Sequence, residues 1–182
     1  MKAWKQNKLV RLLLIGGFVL ILDQITKAVI LQTMPLYDSI TIVPGFFNIV
    51  HVQNPGGAFG LFGEAAPLMR QLVFLFFAPA VVGFTLYMYY KTPVKPYPLF
   101  SLSLAIINGG AIGNIIDRIR FGKVIDFLDV YIGSSHWPAF NVADSALCIG
   151  IAIFGYHVLF DKTPEAEEDL KNSKNKDSQK KT

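Results

Sequence analysis

Asn114, Asp117 and Arg118 stand at i, i+3 and i+4 of one apolar segment, and Asn141 and Asp144 at i and i+3 of another. On helices, each set shares one face. Between them Asp126 and Asp129 sit among Val124, Ile125, Phe127 and Leu128. Charge among such neighbours is costly unless it is paired or reached by water. Two carboxylates a few Å apart cannot both ionise readily, so they share a proton. One then takes a proton from water while the other gives one to a carbonyl oxygen. That is peptide hydrolysis by a pair of aspartates, and it needs no metal and no cofactor. Asp144 is one plausible partner, and the pattern leaves Asp117, Asp126 and Asp129 open as the other. Asp126 has the most desolvating surroundings. If its segment is a strand, Asp129 points to the opposite face.

Blander readings exist for each residue taken singly. Asn141 and Asp144 near a helix N-terminus would serve as capping groups, where carboxylates are favourable. Asp23 and Lys27, four apart, share a helix face and read as an ion pair that holds helices in register, or as support for a polar site near the end of the first span. Other chemistries are weaker. Ser134, Ser135 and His136 offer a hydroxyl and an imidazole, but no acid is obviously placed to orient the ring. Cys148 is the single cysteine and reads as a small buried hydrophobe; His157 lies out of its reach on the same helix. No HExxH or CxxC pattern marks a zinc site.

The elements that must position these residues are apolar. Of 182 residues 52% are hydrophobic and 16% charged, and the low charge excludes an ordinary water-soluble domain. A membrane span needs about 20 mostly apolar residues. Leu9–Leu31, Pro67–Tyr90, Tyr97–Ile116 and Phe140–Phe160 meet that length. The expected fold class is a mainly α membrane protein with four transmembrane helices and a small β-sheet region on the extracytoplasmic side. Ser39–Val43 and Phe46–Gln53 read as strands around Pro44-Gly45, and residues 122–133 as a second short strand pair. Leu61–Arg70 reads as a short interfacial helix.

Lys and Arg accumulate before the first span, between the second and third, and after the fourth, whereas residues 32–66 carry none. By the positive-inside rule both termini are cytoplasmic and the polar clusters meet near the outer face. Arg118, Arg120 and Lys123 in the second outer loop run against this trend, which hints at a task for at least one of them. Residues 1–160 form the expected membrane domain, with outer β regions near 37–63 and 121–133. Residues 161–182 are a polar tail, expected to be disordered and cytoplasmic. The net charge of +4 suits contact with anionic membrane lipid. Basic residues spread over three tethers do not suit nucleic acid.

Five motifs resemble the lipoprotein signal peptidases (signal peptidase II), membrane aspartic peptidases of bacteria. They are "DQITK" (Asp23–Lys27), "NPGGAF" (Asn54–Phe59), "GNIIDR" (Gly113–Arg118), "VIDF" (Val124–Phe127) and "FNVADS" (Phe140–Ser145). The resemblance implies that Asp126 and Asp144 are the catalytic pair. It implies that Asn54, Asn114, Arg118 and Asn141 line the site, with Asp23 and Lys27 in support. Gly56, Ala58 and Phe59 would shape a loop closing over the peptide. The implied partners are prolipoproteins whose cysteine carries a diacylglyceryl group, cut just before that cysteine, and the surrounding membrane lipids. Nothing demands more than a monomer. The alternative from another class is a small proton-coupled transporter using the same intramembrane acids.

Overall fold

The computed structural model describes residues 2–56, 67–94 and 98–160. Four helices carry the chain: α1 (Lys2–Thr33), α2 (Pro67–Lys91), α3 (Pro98–Phe121) and α4 (Val142–Phe160). Three described stretches are long and apolar enough to cross a membrane: Lys8–Thr33 of α1, α3 and α4. α3 is central and packs against α1, α2 and α4. The exterior is apolar: Leu13, Leu14, Phe18, Ile21 and Ile25 of α1, Phe76, Phe77 and Phe84 of α2, and Ile149, Ile151 and Leu159 of α4 are exposed. The interior instead holds Asp23, Lys27, Ser101, Ser103, Asn108, Asn114, Asp117 and Asn141. Apolar residues outside and polar ones within suit a hydrocarbon solvent, and soluble monomers rarely leave so many large apolar side chains exposed.

Small residues let the helices close. A Cβ on Gly109 would stand 2.5 Å from the Gly16 carbonyl oxygen and 2.9 Å from Val19 Cβ, so α1 and α3 touch backbone to backbone. Gly109→Ala therefore sets overpacking, typically about 1–3 kcal/mol, against a helix-propensity gain of about 1 kcal/mol. A backbone carbonyl cannot move aside cheaply, so overpacking wins. The expected result is a lower thermal midpoint in detergent. Gly17→Ala, with nothing within 4 Å of its Cβ, keeps the propensity gain unopposed and is expected to hold or raise the midpoint.

The remaining elements form one antiparallel sheet in the order β1 (Ser39–Val43), β2 (Phe47–Asn54), β3 (Val124–Ile132), β4 (Ser135–His136). β-branched residues favour the strands, and Gly45, at φ 79°, makes the β1–β2 turn that Pro44-Gly45 suggests. Residues 122–133 do not form a strand pair. They give one nine-residue strand, because β2 supplies the partner along its length from Phe47–Val130 to Asn54–Val124. Only the two-residue β4 folds back on it, after Gly133 at φ 61°. Ile30 and Met34 at the end of α1 pack on Ile125 and Phe127 of β3, which fixes the sheet to the bundle.

Helix bounds differ modestly from the apolar stretches. α3 runs five residues past Ile116, so Asn114, Asp117 and Arg118 lie within it. α4 begins at Val142 because Phe140 is bridged to Leu128 of β3. Of the expected interfacial helix, Leu61–Ala66 lies outside the described residues and the rest belongs to α2. The tail 161–182 also lies outside them.

Candidate active site

Asn141 joins the two aspartates. As the residue before α4, it caps the helix: its Oδ1 accepts from the Asp144 amide at 2.9 Å. Its Nδ2 donates to Asp126 Oδ1 at 2.7 Å. The Phe140–Leu128 bridge lays this cap beside β3, so one side chain ends a turn and bonds the strand aspartate. Asn54, at the end of β2, donates to Asp126 Oδ2 at 3.0 Å and accepts from the Gly56 amide at 2.9 Å. Asn114 of α3 donates to Asp144 Oδ1 at 2.8 Å. Asp126 is 1% exposed, whereas Asp144 and Asn54 are half-buried, so the cluster opens on their side.

Burial pushes the Asp126 carboxyl from its ordinary 3.8 up to about 7, and the nearby Asp144 charge adds to the rise. Hydrogen bonds from Asn54 and Asn141, and the Lys27 charge, pull the other way without cancelling it.

Behind the pair lies a second layer. Lys27 Nζ sits 2.9 Å from Asp23 Oδ2, 2.8 Å from Asp117 Oδ2 and 2.9 Å from Asn114 Oδ1. Three hydrogens meet three acceptors, so the ammonium is fully used. Its contact fixes the Asn114 amide with nitrogen toward Asp144. Gly113 makes room, since a Cβ there would lie 2.5 Å from Asp23 Oδ2. Arg118 donates to the Gly56 carbonyl at 3.2 Å and to the Asn114 carbonyl at 3.3 Å, and its guanidinium lies 4.2 Å from the Phe74 ring centroid. The cation against the trend of its loop thus ties α3 to the Asn54–Gly56 turn. Ala58 and Phe59 lie outside the described residues.

Asp23, Lys27, Asn54, Gly56, Asn114, Arg118, Asp126, Asn141 and Asp144 are brought to one place. Asp129 is not. It lies on the other face of β3, accepting from Asn48 Nδ2 at 2.8 Å and bonded to His136 Nδ1 at 2.9 Å. This corrects the reading that no acid orients His136: Asp129 does so across the β3–β4 turn, with Tyr131 stacked on the ring. Sequence reasoning passed over Gln24 and left the place of Asp117 open. Asp117 takes Lys27 and the Ile125 amide, and Gln24 reaches both Asp23 and Asp117.

An apolar bundle around a buried carboxylate–carboxamide site defines the class as a membrane protein. Two solved structures, each described as a bacterial membrane enzyme, share the fold. One has a TM-score of 0.74 at 33% identity over 82% of this chain and 88% of its own. The other has 0.72 at 33% identity over 83% and 94%. The family is more specific. Residues 15–160 match the family model described as signal peptidase (SPase) II. A lipoprotein signal peptidase of Desulforapulum autotrophicum is 50% identical over 157 residues, covering 86% of this chain and 96% of the relative. One of Syntrophus aciditrophicus is 46% identical over 80% and 90%. The chain belongs to the signal peptidase II family and is a peptidase.

Proposed function

We propose that this peptidase is an aspartic endopeptidase that removes signal peptides from prolipoproteins, cutting just before the diacylglyceryl-modified cysteine. The observation that carries the mechanism is Asn141 bridging Asp126 and Asp144, with the Asp126 carboxyl raised to about 7. At neutral pH the pair keeps one proton. The ionised carboxylate takes a proton from water as the oxygen bonds to the scissile carbonyl carbon. The protonated partner gives its proton to the carbonyl oxygen. Collapse of the tetrahedral intermediate breaks the C–N bond as a proton passes to the leaving amine. Arg118 positions the substrate backbone, and Asn54, Asn114 and Asn141 hold the aspartates.

α2 serves as the fourth span in this reading, both termini face the cytoplasm, and the sheet lies at the outer surface. The substrate helix lies between the spans while its acyl chains stay in lipid, so binding needs few sequence-reading contacts. The alternative transporter loses ground to the family membership.

The test is mass spectrometry of a diacylglyceryl-modified precursor incubated with the purified protein. A new terminus at the lipid-bearing cysteine supports the proposal. An intact precursor, or a cut elsewhere, overturns it.

The raised carboxyl also sets a pH dependence. A carboxyl titrating near 7 keeps its proton below that pH and loses it above, so the singly protonated pair fades as pH rises. Turnover is expected to fall on the alkaline side of about pH 7, the limb belonging to the pair rather than to one residue. A profile flat through roughly pH 9 would contradict one shared proton.

A further inference from the structure

Asp23 and Asp117 each grip the chain one residue before a proposed catalytic aspartate. Asp23 Oδ1 accepts from the Ala143 amide at 2.9 Å, next to Asp144. Asp117 Oδ2 accepts from the Ile125 amide at 3.2 Å, next to Asp126. The two carboxylates therefore hold α4 and β3 at the points where their spacing sets the distance between the aspartates. Left alone, two buried carboxylates would repel. Lys27 neutralises one charge by pairing with both.

Gln24 completes the grip from the other side. Its Nε2 lies 3.1 Å from Asp23 Oδ2, 3.1 Å from Asp117 Oδ1 and 3.2 Å from the Gly113 carbonyl. Three acceptors face this nitrogen and share its two hydrogens, which fixes the amide orientation. Gln24 adds no charge to a region that already has too much. It links α1 to α3 and ties both carboxylates to one amide group.

We propose that Gln24 is a positioning residue: by holding Asp23 and Asp117 together it sets the spacing of Asp126 and Asp144 without touching substrate. This rests on the aspartic-peptidase reading above.

The test compares Gln24→Leu and the isosteric Gln24→Glu in purified protein on the diacylglyceryl-modified precursor. Gln24→Leu is expected to lower kcat about 10–100-fold with KM changed no more than about 3-fold, since geometry rather than substrate affinity is lost. Gln24→Glu distinguishes positioning from mere support. Ionised, its carboxylate faces Asp23 of α1 and Asp117 and the Gly113 carbonyl of α3, with Lys27 of α1, paired to both acids, as the counter-charge. Asp126 of β3 and Asp144 of α4 join this layer through the Ile125 and Ala143 amides, and Arg118 of α3 through the Asn114 carbonyl. Protonated, it donates again. The ratio of its kcat to that of the unaltered protein is therefore expected to rise as pH falls. A constant ratio, or a loss confined to KM, overturns the inference. So does Gln24→Leu with unaltered kcat while the parent protein cleaves. If the parent protein leaves the precursor intact, the proposed aspartic-peptidase function falls first and the inference with it. Should Gln24→Leu fail to fold, the pH course of Gln24→Glu decides alone.

Discussion

Asp126→Asn is expected to lower turnover by at least about 10³-fold while the protein still folds. A positioned acid or base contributes roughly 10²–10⁴ in rate, and each proposed aspartate plays both parts in one cycle. An amide of the same shape can neither take a proton from water nor give one to a carbonyl oxygen. The structural cost is small by comparison. Asp126 accepts two hydrogen bonds, from Asn54 and Asn141, and an amide offers only one acceptor. Neither neighbour can turn freely, because Asn54 Oδ1 holds the Gly56 amide and Asn141 Oδ1 holds that of Asp144. One bond is lost, typically about 0.5–1.5 kcal/mol. Against this, the variant removes a buried carboxylate. Its folded-state pKa lies above the unfolded value. The contribution of the group to stability is therefore greatest below about pH 4 and is lost as pH rises toward 7. The stability of Asp126→Asn relative to the parent protein should therefore improve across that window. Asp144→Asn is expected to lose turnover to the same extent for the same reason, and to keep its fold, since its Oδ1 can still accept from Asn114. Turnover on the lipidated precursor and thermal unfolding at several pH values check both. Either purified variant retaining turnover within about tenfold would remove that residue from the mechanism.

The long apolar stretches were legible because hydrocarbon imposes them. The polar residues inside them stood out because burial of charge is rare. The β1–β2 hairpin was legible from its β-branched runs and the Pro44-Gly45 turn. Other features depend on tertiary contact. Composition alone could not choose among Asp117, Asp126 and Asp129, because that choice depends on which group faces Lys27 and which faces Asn141. The motif resemblance pointed to Asp126, and the structure places Asp117 against Lys27 and the Ile125 amide. Gln24 carries no charge, so nothing in the cost of burial drew attention to it. Its three acceptors come from α1 and α3 together, and they converge only because Gly16 and Gly109 let those helices touch. β3 was misread as a pair because alternation within residues 122–133 cannot reveal a partner strand some 75 positions earlier. The Asp129–His136 contact was missed for the opposite reason: the residues are close in sequence, but the turn at Gly133 had to be known.

Lys27→Met is expected to cost more stability than any other single change at this site. Methionine roughly matches the length and apolar stem of lysine, so packing is largely kept and the change isolates the ammonium. What remains is Asp23 and Asp117, both 1% exposed or less, without the cation that pairs with both. Removing one partner from a buried ion pair typically costs about 3–5 kcal/mol, and here one cation serves two carboxylates. Turnover should fall as well. Without the ammonium on its Oδ1, the Asn114 amide keeps only the 3.3 Å contact from Asn141 and can turn its oxygen toward Asp144. A second change separates the two losses. Lys27→Met with Asp117→Asn leaves one carboxylate, Asp23, still held by Gln24 and the Ala143 amide. The double variant is expected to recover most of the unfolding free energy, because the repelling pair is gone, but not the turnover, because Asn114 stays unheld. Non-additivity of that size is what a shared buried network gives. Thermal unfolding and turnover of the two single variants and the double close the cycle. If Lys27→Met unfolds within about 1 kcal/mol of the parent protein, the ammonium is not what holds the two carboxylates in place.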